Sequence, residues 1–87
     1  MSDIKIVKKK PIMTEAVQIT GTVENIKEIR YFCGKYEFNR VSNFTYKVGS
    51  LEGDMIAYNS DWVVKEVEGD VCVIKNNIFG KTYDVIS

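Results

Sequence analysis

The residues of this chain whose side chains could carry covalent or acid–base chemistry form no recognisable active-site motif. The 87 residues include no histidine, which excludes Ser–His and Cys–His nucleophile pairs and the usual zinc sites. The acidic residues in predicted turns and strand ends are scattered rather than grouped in a motif: Asp54, Asp61, Asp70 and Asp84. We therefore expect no enzymatic activity, no cofactor and no metal site.

The two cysteines, Cys33 and Cys72, are far apart in the sequence and form no CxxC pair. In a reducing cytosol such cysteines are usually small buried hydrophobes. We therefore expect two free thiols with no disulfide between them.

Residues suited to binding are concentrated in the segment 35–50, where aromatic side chains alternate with polar ones. A three-residue loop at 41–43, with Asn43 in the left-handed region, predicts a β-hairpin with one aromatic face and one polar face. On the aromatic face this register places Tyr36 near Val48, Phe38 opposite Tyr46 and Arg40 opposite Phe44.

This aromatic face has two interpretations. In the simpler one it belongs to the core. In the other, Tyr36, Arg40 and Tyr46 reach the rim and contact a partner, because tyrosine and arginine often carry the binding energy of protein interfaces. Lys75 and Asn76, in a turn after a predicted strand, are the second predicted contact, since loops on a rigid sheet frequently carry recognition.

The elements that must position these residues are mostly strands. Two β-rich runs, 61–67 and 71–75, flank Glu68-Gly69-Asp70, and this spacing predicts a hairpin in which Gly69 has a positive φ. Alternating apolar residues and turn residues predict the other elements: strands at 12–20, 51–58 and 82–86, a strand or arm at 4–6, and a single turn at 78–81.

One helix is predicted at about 23–33. Thr22 is a suitable N-cap and Gly34 fits the C′ position after the last turn. The helix has an apolar stripe at i, i+3 and i+4 spacing that we expect to face the core. Its members are Val23, Ile26, Ile29, Phe32 and Cys33.

These elements predict an α+β fold in a single small domain, 1–87. An antiparallel twisted sheet or half-barrel of five to seven strands packs on the helix at 23–33. Trp62, the only tryptophan, is expected to be at least half buried. The predicted core comprises Val17, Ile26, Ile29, Cys33, Met55, Val63, Val67 and Val73.

The charges balance, with 12 basic and 12 acidic residues, which argues against a dedicated nucleic-acid-binding protein. The one basic run, Lys8–Lys10, is either a solvated strand end that protects a sheet edge or a phosphate contact. The first ten residues contain no apolar run typical of a signal peptide, and no stretch is long enough to span a membrane. We therefore expect a cytosolic protein without membrane contact.

Two groups of residues resemble a family of small, functionally uncharacterised proteins of Gram-positive phages and prophages. The first is Lys9-Lys10-Pro11 followed by Glu15-Ala16-Val17-Gln18 and Thr20-Gly21. The second includes Asp61-Trp62-Val63-Val64-Lys65, Ile78-Phe79 and Thr82-Tyr83. Ser60 and Glu66 stand where the family carries glycine. The resemblance covers about half the chain and implies a phage-encoded protein in the cytoplasm of the bacterial host.

The resemblance and the missing catalytic groups together favour a non-enzymatic binding protein that acts on a host factor. Occupying a protein surface to inhibit a bacterial defence system is one such role. The alternative is a nucleic-acid or nucleotide-binding module, in which the aromatic hairpin stacks bases and Lys8–Lys10 contact phosphates. The oligomeric state does not follow from these patterns.

Overall fold

The computed structural model describes residues 14–66 and 68–85. In chain order these form strand β1 (Glu15–Gln18), helix α1 (Val23–Cys33), strands β2 (Phe38–Ser42), β3 (Thr45–Val48), β4 (Met55–Tyr58), β5 (Trp62–Lys65) and β6 (Val71–Ile74), and helix α2 (Asn76–Thr82). The predicted α+β domain is confirmed. The predicted strand or arm at 4–6, the basic run Lys8–Lys10 and Val67 lie outside the described residues.

The six strands form two antiparallel sheets of three strands rather than one sheet. The strand orders are β1–β5–β6 and β2–β3–β4. The edge strands β4 and β6 approach each other without a hydrogen-bonded ladder between them. At the end of β4, the amide of Tyr58 donates to Asp61 Oδ2 at 3.0 Å. The Asp61 side chain therefore takes up a backbone N–H that a hydrogen-bonded ladder to β6 would need.

Helix α1 has the predicted bounds because both of its caps are present. Thr22 Oγ1 accepts a hydrogen bond from the amide of Asn25 at 3.1 Å, as an N-cap residue does. Gly34, with a φ of 61°, donates its amide to the carbonyls of Arg30 and Tyr31. The helix therefore starts and stops where local residue types satisfy its free backbone groups.

The core lies between α1 and the inward faces of both sheets. Of the predicted core residues, Ile29, Cys33 and Val63 are fully buried, and Val17, Ile26 and Val73 pack partly buried against them. Met55 is half-buried, and so is Trp62, as predicted. The prediction missed the contribution of the second sheet, whose buried members are Phe38, Tyr46, Val48 and Ala57.

The first hairpin differs from its prediction in register. A bulge at Val41 shifts the pairing between Arg40 and Ser42, and the turn lies at 43–44 instead of 41–43. Phe38 therefore pairs with Val48, and Arg40 pairs with Tyr46. Asn43 does not have the predicted positive φ, because the bulge accommodates the extra residue that the predicted three-residue loop had to absorb.

The second hairpin is confirmed, but the end of the chain is not. Lys65 pairs with Val71, and Gly69 has a φ of 92°. The predicted strand at 82–86 is wrong as far as Val85, because Asn76–Thr82 is a helix and 83–85 has no regular secondary structure. The i, i+4 spacing of Phe79 and Tyr83 puts both rings on one column above Trp62, which favours the helix.

Candidate partner-binding site

The turn at 59–61 joins the two sheets and organises the residues around it. It connects the end of β4 to the start of β5. It is also hydrogen-bonded to the end of β1, because the Ser60 amide donates to the carbonyl of Ile19 and the Ile19 amide donates to the carbonyl of Asp61. Asp61 is buried and accepts hydrogen bonds from the Tyr58 amide at 3.0 Å and from Lys75 Nζ at 2.9 Å. The turn is therefore hydrogen-bonded to the end of β1, the end of β4 and Lys75 after β6.

Lys75 and Asn76, both predicted contact residues, lie beside this turn. Lys75 Nζ lies 4.5 Å from the centre of the Tyr58 ring while it pairs with Asp61. Asn76 Oδ1 accepts from Trp62 Nε1 at 3.0 Å and from Gln18 Nε2 at 3.4 Å. The side chain of Lys75 is still 46% exposed, so it is held in place and accessible at the same time.

Arg40, the third predicted contact, reaches the same turn from the first hairpin. One terminal nitrogen of its guanidinium donates to the carbonyl of Gly21 at 2.9 Å and to the Tyr46 hydroxyl at 3.1 Å. A Cβ on Gly21 would lie 3.4 Å from this nitrogen and 3.1 Å from Asn59 Nδ2. Arg40 and the 59–61 turn therefore meet over the backbone of Gly21.

The two predicted tyrosine contacts differ in exposure. Tyr46 is 0% exposed and stacks on Phe38 with ring centres 5.2 Å apart, so the prediction that it contacts a partner is wrong. Tyr36 is half-buried and packs against the same core. The bulge at Val41 pairs Arg40 with Tyr46, and the guanidinium closes over the buried ring.

The same burial withdraws two of the hairpin's rings from base stacking. Phe38 and Tyr46 were expected to offer ring faces to bases, but both rings are buried against each other. Phe44 is the one exposed ring of that predicted set, at 66%. Lys8–Lys10, the predicted phosphate contacts, lie outside the described residues.

Two exposed aromatic residues lie beside the turn and were not among the predicted protein-contact residues. Phe44 accepts a backbone hydrogen bond from Asn59, and Tyr58, at 48% exposed, is the residue just before the turn. The alternation in Met55–Tyr58 does indicate that Ile56 and Tyr58 face outward. We call the residues exposed around the 59–61 turn the turn surface: Arg40, Phe44, Tyr58, Lys75 and Asn76.

The two cysteine thiols are nucleophilic side chains outside the turn surface. Cys33 and Cys72 are free thiols, as predicted. Burial raises the pKa of Cys33 to about 11, and burial together with Glu66 raises the pKa of Cys72 to about 12. Both are therefore protonated at neutral pH, the unreactive form. Within 14–66 and 68–85 no three Cys, Asp or Glu side chains are grouped as metal ligands.

Within the described part of the chain, neither helix has the length and apolar character needed to cross a membrane. No family model, no curated protein and no solved structure matches this chain.

Proposed function

We propose that this protein is a non-enzymatic binding protein that contacts a bacterial host protein through the turn surface. The observation that carries the proposal is the joining of exposed aromatic and cationic side chains to one rigid turn. Tyrosine and arginine bury a large area and keep a polar end, which suits them to interface anchors. Side chains already held by hydrogen bonds lose less freedom when a partner binds.

The phage origin in this proposal rests on the sequence resemblance. One structural observation supports it: Ser60 has a φ of 82°, and the family carries glycine at this position. A positive φ is the conformation that favours glycine. In this proposal the protein acts in the cytoplasm of the bacterial host and inhibits a defence system by occupying a protein surface.

The test compares two exposed tyrosines, of which only one lies in the turn surface. Tyr58→Ala removes a proposed anchor, and Tyr31→Ala removes a ring that is 90% exposed on the last turns of α1. A tagged wild-type protein first recovers its partner from host lysate, and titration calorimetry then measures the affinity of each variant. We expect Tyr58→Ala to weaken binding by about 2 kcal/mol and Tyr31→Ala to leave it unchanged.

Thermal midpoints separate lost contacts from lost folding. Arg40→Lys keeps a cation near Gly21 but loses the planar guanidinium, so we expect weaker partner binding with a small change in thermal midpoint. Equal affinity of the Tyr58 and Tyr31 variants would show that the turn surface is not the site. Salt-sensitive retention on single-stranded DNA, lost in Arg40→Ala, would assign the surface to nucleic acid and overturn the proposal.

A further inference from the structure

The outer face of the sheet β2–β3–β4 carries two exposed apolar side chains beside each other. Ala57 points into the core, and because side chains alternate along a strand, Ile56 and Tyr58 of the same strand point the opposite way. Both side chains are half exposed. Since Ile56 lies two residues before Tyr58, its side chain extends the turn surface along the outer face of β4.

The outer face of the other sheet, β1–β5–β6, is covered by the chain itself. Val63 faces the core, so Val64 and Trp62 face outward on β5. Phe79 of α2 stacks on Trp62, and Val64 is fully buried. An outward apolar residue is therefore closed off by a packed element in this sheet, whereas Ile56 in the other sheet is left open.

The charge that the turn surface presents to solvent is positive. Its two charged side chains, Arg40 and Lys75, are both cations. Lys75 pairs with Asp61 at 2.9 Å, but the aspartate is buried behind it. Among the described residues no carboxylate lies within ion-pair distance of Arg40. A partner would therefore meet the two cations and not the carboxylate.

Along the sheet this surface changes from cationic to neutral. Lys75 Nζ lies 4.5 Å from the centre of the Tyr58 ring, at the cationic end. Lys47 is the cross-strand neighbour of Ile56, and Asp54 balances its charge at 3.4 Å. The surface therefore has an apolar, neutral end at Ile56 and a cationic end at Lys75.

Three observations favour a protein segment over nucleic acid as the occupant. Lys75 covers one face of the Tyr58 ring, which takes that face away from a base. Ile56 is aliphatic, so it adds apolar area without a ring for stacking. The whole chain has 12 basic and 12 acidic residues, without the basic excess of nucleic-acid-binding domains. Apolar contact combined with local positive charge fits an acidic protein segment that also carries apolar side chains.

We propose that Ile56 and the turn surface together bind a protein segment in which apolar side chains are followed by carboxylates. The apolar side chains pack on Ile56 and Tyr58, and the carboxylates meet Lys75 and Arg40. Burial of apolar area supplies affinity, and charge complementarity selects the acidic partner. This inference rests on the proposed binding function and names the chemistry of its partner.

Three labelled nine-residue peptides and the full chain test the inference by fluorescence anisotropy at low salt. The first peptide has leucine and phenylalanine two positions apart, followed by glutamates. The second replaces the glutamates by lysines, and the third replaces the two apolar residues by serines. We expect the first peptide to bind at least about tenfold more tightly than either of the others, because only the first matches both ends of the surface.

Two matched isoleucine variants locate the contact. Ile56 and Ile78 are 49% and 51% exposed, and Ile78 lies about 200° around α2 from Asn76, away from the turn surface. We expect Ile56→Ala to bind the first peptide about fivefold more weakly and Ile78→Ala to bind it as the wild type does. Lys75→Met should bind it more weakly and with less dependence on salt.

The outcomes separate this inference from the proposed function. No binding of the first peptide at up to about 1 mM, equal binding of the lysine peptide, or equal affinities of the two isoleucine variants would overturn the inference. A labelled thymidine oligonucleotide that bound more tightly than the first peptide would do the same and assign the surface to nucleic acid. If binding of the host partner still depended on Tyr58, the proposed function would stand while the partner chemistry inferred here fell.

Discussion

Ser60 combines an ordinary side chain with a backbone conformation that suits glycine. Its φ is 82°, the one positive value outside glycine within the described residues. A non-glycine residue with this backbone conformation destabilises the folded state by about 1–2 kcal/mol. Glycine avoids that strain but loses more conformational entropy on folding, which costs about 0.5–1 kcal/mol. We therefore expect Ser60→Gly to raise the free energy of unfolding by about 0.5–1 kcal/mol.

Urea denaturation of Ser60→Gly measures this gain. Ser42→Gly is the matched control, because Ser42 lies in β2 without a positive φ and glycine in a strand is destabilising. A loss of stability in both variants would contradict the argument, since it would mean that position 60 gains nothing from glycine.

Cys33 is expected to make the free energy of unfolding fall as the pH rises in the alkaline range. Burial raises the pKa of its thiol from 9.0 to about 11, and Lys65 partly opposes the shift. The unfolded chain therefore loses this proton at lower pH than the folded chain. The stabilisation from the neutral thiol is complete below pH 9 and is lost as the pH rises through 11.

The change that tests this is Cys33→Ala. Urea denaturation at several pH values should show a steeper loss of stability between pH 8 and pH 10.5 in the wild type than in the variant. The comparison cancels the contributions of all other groups, because both proteins contain them. Parallel curves would show that the thiol has the same pKa in the folded and unfolded chains.

At the scale of elements, Asn25 joins the first strand to the first helix. Its Oδ1 accepts from the amides of Thr20 and Gly21, and its Nδ2 donates to the carbonyl of Gln18 at 2.8 Å. Asn25→Ala leaves these backbone groups without a protein partner, and we expect a loss of about 2 kcal/mol. Glu28→Ala, on the exposed side of α1, should change stability by less than about 0.5 kcal/mol.

Helix α2 is attached to its sheet mainly through stacked rings. Phe79 lies 3.9 Å from Trp62 and 5.0 Å from Tyr83, centre to centre. Phe79→Ala removes the middle ring, and we expect a loss of about 3 kcal/mol and a red shift of Trp62 emission as water reaches the indole. Exposed Ile78→Ala is the control; an unshifted emission maximum in Phe79→Ala would contradict the stacking.

Local sequence signals predicted the elements that depend on neighbouring residues. Thr22 and Gly34 bound α1, and Gly69 forms the turn between β5 and β6. The bulge at Val41 was not predictable in this way, because the pairing of Arg40 with Tyr46 depends on the core beneath the hairpin. The helix at Asn76–Thr82 likewise depends on stacking against a distant ring.

At the scale of the whole molecule, Asp61 connects the sheets. Its carboxylate holds the last amide of β4 and the lysine that follows β6. Asp61→Ala leaves that amide and Lys75 without their partner, and we expect a loss of about 3 kcal/mol. Lys75→Met keeps an aliphatic side chain over Tyr58 and leaves the hydrogen bond from the Tyr58 amide to Asp61 intact. We therefore expect a smaller loss of stability, about 1 kcal/mol.

Unfolding followed by both Trp62 fluorescence and circular dichroism tests this role. We expect both signals to change together in the wild type, because one turn holds both sheets. If Asp61→Ala lost no more stability than Lys75→Met, the carboxylate would not be the connection between the sheets.

The grouping of residues at the candidate site was predictable in part. Arg40, Lys75 and Asn76 were expected contacts and do lie around one turn. The assignment of Tyr46 failed, because its hydroxyl meets Arg40 while its ring fills the core. From sequence alone, an amphipathic residue of this kind fits an interface and a core equally well.

Gly21 has a consequence for any genetic selection of loss-of-binding mutants. Its φ is 90°, and a Cβ would lie 3.1 Å from both Asn59 and the Tyr46 hydroxyl. Almost every codon change there would displace Arg40 and strain the turn, although the residue offers no side chain to a partner. A selection would score Gly21 among the strongest hits and Phe44, which is free of such constraints, among the weaker ones. The strongest phenotypes in such a selection would therefore identify residues that maintain the turn rather than residues that contact the partner.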